Sequence, residues 1–316
     1  MHLLLSLLFW ILVVLVAFAA FSAFIARKVT QAFPPTGQYL EVDGERIHYR
    51  SLGEGPPMVL VHGLAGQMRN FEYLPLADLA RRWRIVLVDR PGSGLSPRRD
   101  DAKAGLAAQG LLLAHFIRAL RLAQPPLLVG HSLGGAVALS TALQDPEAIA
   151  GVALIAPLTH YLERGPAKPF RPLAIHAGWL RRLVSLTFAV PMSMLIGRHA
   201  VTQVFAPEPA PADFPVRGGG LLGLRPSAFR ASSLDLVALE RELRPQESRY
   251  GELRLPVRIL YGEGDEMLDW RVHGEALRAK VPQAQLTVVP GGHMLPVTQA
   301  AGTAAWLDEA AQATLR

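Results

Sequence analysis

Gly130-His131-Ser132-Leu133-Gly134 follows the apolar run Pro126-Leu127-Leu128-Val129 and opens a helix-like stretch from Gly135 to Gln144. A strand that passes through a sharp turn into a helix lifts the turn side chain clear of the sheet, and here that side chain is a serine hydroxyl. The turn strains its central residue and needs small neighbours, which Gly130, Gly134 and Gly135 supply. Ser132 then sits at a helix N-terminus, where free N–H groups and the helix dipole favour negative charge. Glycine and serine also make ordinary turns, so the pattern alone does not decide the chemistry.

Three further segments supply the context, in an order that suits the chemistry. Met58-Val59-Leu60-Val61 leads into His62-Gly63-Leu64-Ala65-Gly66, a glycine-rich loop able to offer the N–H of Leu64. With the N–H of Leu133 this gives a two-donor oxyanion hole. Val257-Arg258-Ile259-Leu260-Tyr261 reads as a strand that ends in Gly262-Glu263-Gly264-Asp265, placing the Asp265 carboxylate on a turn. Gln285-Leu286-Thr287-Val288-Val289 ends in Pro290-Gly291-Gly292-His293, which makes His293 the candidate base. A serine hydroxyl is a weak nucleophile near pH 7, so an imidazole has to take its proton and return it to the leaving group. A carboxylate behind the ring fixes its tautomer and stabilises the imidazolium. Each segment also has a structural reading. Gly291-Gly292-His293 can be a plain turn, Asp265 can cap a helix starting near Trp270, and His62 can hydrogen-bond its own loop. Their joint order, each at a strand's C-terminal end, favours the catalytic reading.

With these residues in hand, the chain resembles the α/β-hydrolase superfamily from about Pro34 to its C-terminus, apart from a middle segment. Asp89-Arg90-Pro91-Gly92-Ser93-Gly94-Leu95-Ser96 is similar to the family's strand-four motif. The resemblance implies a mostly parallel eight-stranded sheet flanked by helices. It also implies a nucleophile at Ser132 in an elbow framed by Gly130 and Gly134, an acid at Asp265, a base at His293, and oxyanion donors at Leu64 and Leu133. Relatives that open epoxides or remove halides carry aspartate at the elbow, and serine at 132 argues against that branch. Glu263, Glu266 and Asp269 lie close to Asp265, with Glu263 the second choice of acid. His131 reads as a packing or positioning residue.

The 316 residues, 50% hydrophobic, suffice for one large domain with an insertion. Strands are expected at 47–52, 58–61, 84–88, 127–130, 151–155, 257–261 and 285–289, with helices near 71–82, 102–122, 133–144, 271–280 and 298–315. Such alternation reads as a parallel sheet covered on both faces, with its site at the strands' C-terminal ends. Residues 158–250 interrupt the rhythm and read as a helical cap, dividing the chain into an anchor and stalk (1–33), a first core part (34–157), the cap (158–250) and a second core part (251–316). The apolar stretch from Trp179 to Ile196 is too interrupted to span a bilayer. Ordinary packing of cap on core is the expectation for it, the alternative being an acyl-binding wall in which Met192 and Met194 flex. The cap carries twelve Lys/Arg against seven Asp/Glu, a net +5, which is a solvated face or a contact for anionic lipid.

From Leu3 to Ile25 there is no charged residue, and Ser6 and Ser22 are the polar ones. At ~1.5 Å per residue the stretch crosses the hydrocarbon as a helix. A cleaved signal ending near Ala17-Phe18-Ala19 is the rival, but the apolar run exceeds a signal's core and Met1-His2 lacks a Lys or Arg, so an uncleaved single-pass anchor is expected. Arg27 and Lys28 favour a cytoplasmic domain, while an export-type anchor puts it outside. A chain without cysteine is compatible with either side. No metal-ligand spacing, P-loop or basic-aromatic run occurs, so neither a metal, another cofactor nor nucleic acid is expected, and the oligomeric state stays open. The expected activity is hydrolysis of a lipophilic carboxylic ester, monoacylglycerol-like, at a membrane. The alternatives are C–C bond hydrolysis or cofactor-free perhydrolysis on the same triad types, and a non-catalytic protein binding a lipid or partner.

Overall fold

A computed structural model describes residues 1–315. Its strands are β1 (Gln38–Val42), β2 (Glu45–Leu52), β3 (Pro57–Val61), β4 (Arg84–Val88), β5 (Leu127–His131), β6 (Gly151–Ile155), β7 (Val257–Gly262) and β8 (Gln285–Val289). The helices are α1 (His2–Ala32), α2 (Leu76–Leu79), α3 (Leu106–Ala119), α4 (Leu133–Gln144), α5 (Gly178–Leu186), α6 (Ala189–Phe205), α7 (Pro226–Ser248), α8 (Ala276–Lys280), α9 (Leu295–Thr298) and α10 (Ala300–Thr314).

All eight strands join one sheet in the order β1-β2-β4-β3-β5-β6-β7-β8. β2 pairs antiparallel with β1 and β4, and every other pairing is parallel. β3 and β6 are continuous apolar runs, β5 is one up to His131, and all three are buried along their whole length, as strands covered on both faces have to be. One face carries α3 and α4, whose Leu113, Phe116, Val137 and Leu139 pack with Val59, Val86 and Leu128 of the strands. On the other face Trp306, Leu307 and Ala310 of α10 meet Leu60, Ile85 and Val129. The chain leaves β3 for β4 on one side and returns to β5 on the other. The C-terminal ends of β3 and β5, where Val61 lies beside Gly130, therefore form a topological switch point.

Several boundaries differ from the sequence reading. The helix expected over 71–82 is a 3-10 turn at Met68–Phe71 followed by the single turn α2, because Gln67 caps the first and Pro75 starts the second afresh. Gly105, extended at φ −67 and ψ 155, splits the helix expected from Ala102, and residues 271–275 form a π turn ahead of α8. The unforeseen β1 is a half-exposed edge strand whose alternation is too short to stand out. Between β6 and β7 the chain runs through α5, α6 and α7. The expectation that the Trp179–Ile196 stretch packs as core holds for Ala189 and Val190 and fails for most of its large side chains: Trp179, Leu186, Phe188, Met192, Met194, Leu195 and Ile196 are exposed. α5 instead turns the polar side chains of Arg181 and Ser185 inward, onto backbone carbonyls and Ser233 of α7. α1 is one helix of 31 residues that rests on this insertion over its C-terminal half.

Candidate active site

Ser132 links β5 to α4 with φ 55 and ψ −120, a conformation that strains a non-glycine residue by about 1–3 kcal/mol. The flanking glycines are required by close approach. A Cβ on Gly130 would strike the Gly134 carbonyl, and one on Gly134 would strike the Val61 carbonyl of β3. Ser132 is held by its own N–H, which donates to the Ile155 carbonyl at 3.0 Å, and by its carbonyl, which accepts from the Leu158 N–H at 3.0 Å. Its hydroxyl makes no protein hydrogen bond among the described residues and remains available.

The loop after β3 passes directly over this serine. A Cβ on Gly63 would lie 2.9 Å from Ser132 Cβ and 3.3 Å from its Oγ, so only glycine lets the backbone come this near. The Gly63 carbonyl accepts from Arg90 Nη2 at 2.9 Å and the His62 carbonyl from Arg90 Nε at 3.1 Å. In a trans peptide the N–H opposes the carbonyl, so fixing the Gly63 carbonyl on Arg90 turns the Leu64 N–H the other way. Neither that N–H nor that of Leu133 has an acceptor among the described residues. His62 does what its structural reading suggested: Nδ1 donates to the Gly63 carbonyl at 2.9 Å and Nε2 accepts the Arg90 N–H at 3.0 Å. Burial, aided by the Arg90 charge, lowers its pKa to about 3, so the ring stays neutral.

His293 and Asp265 come together from the loops after β8 and β7. His293 Nδ1 lies 2.8 Å from Asp265 Oδ2, with both side chains buried. Asp265 Oδ1 accepts the N–H groups of Met267 at 2.8 Å and Leu268 at 2.9 Å, so the carboxylate caps its own turn and faces the imidazole at once. Glu263, Glu266 and Asp269 are exposed and make no bond to His293, so Asp265 is the carboxylate that meets the ring. The two loops are fastened by N–H groups of Glu263 and Gly264, which donate to the carbonyls of Val289 at 2.8 Å and Gly291 at 2.9 Å. His131, beside the serine, donates from Nε2 to the His293 carbonyl at 3.0 Å. Burial, then the nearby His293 charge, lowers its pKa to about 3, so it positions the loop without competing as a base.

The family model described as the alpha/beta hydrolase fold matches residues 56–300. The chain belongs to the α/β-hydrolase family. This α/β hydrolase is 27% identical over 261 residues to the magnesium-chelatase 30 kDa subunit of Rhodobacter capsulatus, covering 81% of this chain and 88% of that one. It is 34% identical over 103 residues to the sn-1-specific diacylglycerol lipase ABHD11 of Xenopus tropicalis, over 32% of this chain and 31% of that protein. Among solved structures, one described as a membrane phospholipase A and novel bacterial virulence factor superposes with TM-score 0.69 at 21% identity, covering 100% of this chain and 99% of that one; the likeness is one of fold.

The hydrolase also holds residues that sequence reasoning passed over. Arg90 is buried, and its Nη1 reaches both Gln109 Oε1 and Asp235 Oδ2 at 2.7 Å, while Arg98 takes the other Asp235 oxygen at 2.6 Å. Asp89 accepts the N–H groups of Met68 and Leu95 and faces His48 Nδ1 at 2.8 Å, tying both neighbouring loops to β4. Glu208, just beyond α6, accepts the Gly292 N–H with both oxygens, at 3.0 and 3.1 Å. The strand-four motif signalled Asp89 and Arg90 in place, but nothing in the sequence marked their partners.

Proposed function

We propose that this protein is a membrane-anchored serine hydrolase that cleaves lipophilic carboxylic esters, monoacylglycerol-like in size, without a cofactor. Ser132 Oγ attacks the ester carbonyl while His293 Nε2 takes its proton, and Asp265 stabilises the imidazolium. The oxyanion that forms is stabilised by the N–H groups of Leu64 and Leu133. Collapse breaks the bond to the alcohol oxygen, which receives the proton from His293. Water then attacks the acyl-enzyme by the same proton relay, releasing the acid and restoring the serine.

The observation that carries this reading is the buried 2.8 Å contact between Asp265 and His293, held one residue from the strained turn at Ser132 through the His131 bond to the His293 carbonyl. The lipophilic substrate is supported by the anchor helix, by the exposed apolar insertion, and by the lipase named above. A second reading, in which the fold binds a lipid or partner without turnover, is kept by the resemblance to a protein named as a subunit of a larger enzyme.

The test is hydrolysis of nitrophenyl esters of graded acyl length by the full chain in detergent, with fluorophosphonate labelling beside it. Ser132→Ala is expected to lose at least a thousandfold in turnover and all labelling, with longer acyl chains preferred by the parent. Turnover that survives the substitution refutes the nucleophile, and no turnover or labelling of the parent supports the binding reading.

A further inference from the structure

The N-terminal helix is longer than a bilayer needs, yet too little of it stands free. Residues 2–14 of α1 are all exposed. From Leu15 the helix carries a covered seam, with Leu15, Phe18, Ala19, Ser22, Ile25, Ala26, Val29 and Phe33 partly or fully buried at helical spacing. Thirteen free residues rise about 20 Å, against about 30 Å for the hydrocarbon core, and tilting the helix shortens its reach across the membrane further. A hydrocarbon core laid over the uncharged stretch Leu3–Ile25 takes in about twenty of its residues and so reaches at least Ser22. Over that length the helix is already in contact with the rest of the protein.

The protein that meets it there is the corner between α5 and α6. Ser22 Oγ donates to the Thr187 carbonyl at 3.0 Å, and the Phe18 ring stands 5.3 Å from the Phe188 ring. The two helices meet at 78°, and together they are apolar enough for a broken or re-entrant membrane segment. Residues Leu183–Gly197 carry no charge, and Leu195 is 76% exposed at their outer edge. From Arg164 to Pro207 there is no Asp or Glu but six Lys/Arg, of which Arg182 and Arg198 flank the uncharged run as exposed cations. An apolar corner with a basic rim is the pattern of a segment seated in one leaflet, its stems in acyl chains and its cations at head groups.

We propose that the α5–α6 corner is immersed in the acyl-chain region of the leaflet nearest the hydrolase domain, so that the protein holds the membrane by α1 across it and by this corner within it. The inference rests on reading α1 as a spanning anchor, and it identifies bilayer lipid as the partner of the exposed apolar side chains. The covered seam carries it: α1 cannot cross while the corner it is bonded to stays dry.

The chain has no cysteine, so single-cysteine labelling has no background. Four variants of the full chain, Trp10→Cys in the anchor, Met192→Cys and Leu195→Cys at the corner, and Glu54→Cys at the opposite end of the sheet, are labelled with an environment-sensitive nitrobenzoxadiazole dye. Each is reconstituted in phosphatidylcholine vesicles with or without a nitroxide on the acyl chain. The dye at 10, 192 and 195 is expected to lose at least half its emission to the nitroxide, while that at 54 keeps it. Quenching at 10 with none at 192 and 195 overturns the immersed corner and leaves the anchor intact, whereas no quenching at 10 refutes the anchor itself. Circular dichroism of each labelled protein separates a misfolded variant from a dry one.

Discussion

Replacing Asp265 by asparagine keeps size and shape but changes where a proton can sit. Oδ1 of Asp265 accepts two backbone N–H groups, from Met267 and Leu268. In the variant the amide oxygen has to take that position, because an NH2 group there would face two donors. The NH2 group is then forced toward His293 Nδ1, 2.8 Å away in the parent, and can only donate to it. The ring proton moves to Nε2, the nitrogen that should accept from Ser132. Catalysis then requires the rare tautomer and forms an imidazolium without an anionic neighbour. A comparable asparagine substitution in a serine protease triad lowers turnover about 10⁴-fold. Here the expected loss is 10³- to 10⁴-fold, about 4–5.5 kcal/mol at 1.36 kcal/mol per tenfold. Steady-state hydrolysis of a nitrophenyl ester, with a thermal melt to confirm folding, reads both quantities. A folded variant retaining more than a tenth of the parent's turnover refutes the proposed role of Asp265.

Two other outcomes follow from the same geometry. Gly63→Ala puts a methyl 2.9 Å from Ser132 Cβ, and the few tenths of an ångström that must give are expected to lower kcat at least tenfold with a smaller change in KM; unchanged kcat refutes the close approach. His62 and His131, both held at a pKa of about 3 by burial, are neutral in the fold but protonate near 6.5 when unfolded, so the unfolded chain binds more protons as pH falls below about 6.5. Acidification from pH 8 to pH 5 is therefore expected to remove about 2 kcal/mol for each histidine, seen as a falling Tm in detergent, and a Tm that rises over this interval refutes the neutral buried pair.

What the sequence disclosed was whatever is built locally. Ser132, Asp265 and His293 each end a strand inside a short glycine-marked turn, and a few consecutive residues suffice to recognise such a turn. The choice between Asp265 and Glu263 stayed open because it depends on the meeting of two loops 28 residues apart, where burial of one carboxylate decides it. Asp235 was invisible for a stronger version of the same reason: it meets Arg90 across 145 residues and sits on a helix with no motif of its own. The outward-facing apolar side chains of α5 and α6 were misread because hydrophobicity in sequence reports avoidance of water, and a protein interior and a bilayer satisfy it equally.

The insertion between β6 and β7 is tied to the core through its last helix. That helix, α7, is bolted to the core: Arg225 bonds the Gly94 carbonyl, Asp235 is buried between Arg90 and Arg98, and Gln246 donates to the Ala136 carbonyl at 2.9 Å. Pulling Asp235 away would strand two buried guanidinium groups, and breaking one such buried pair alone costs about 3–5 kcal/mol. That cost is also levied on the Gly63 carbonyl, since Arg90 holds both. A doorway that swung on α7 would dismantle the loop above Ser132 whenever it opened. Access to the serine therefore cannot depend on α7 moving, and the turn at Ala206–Glu208, whose last residue is bonded to the loop of His293, is held to the site in the same way.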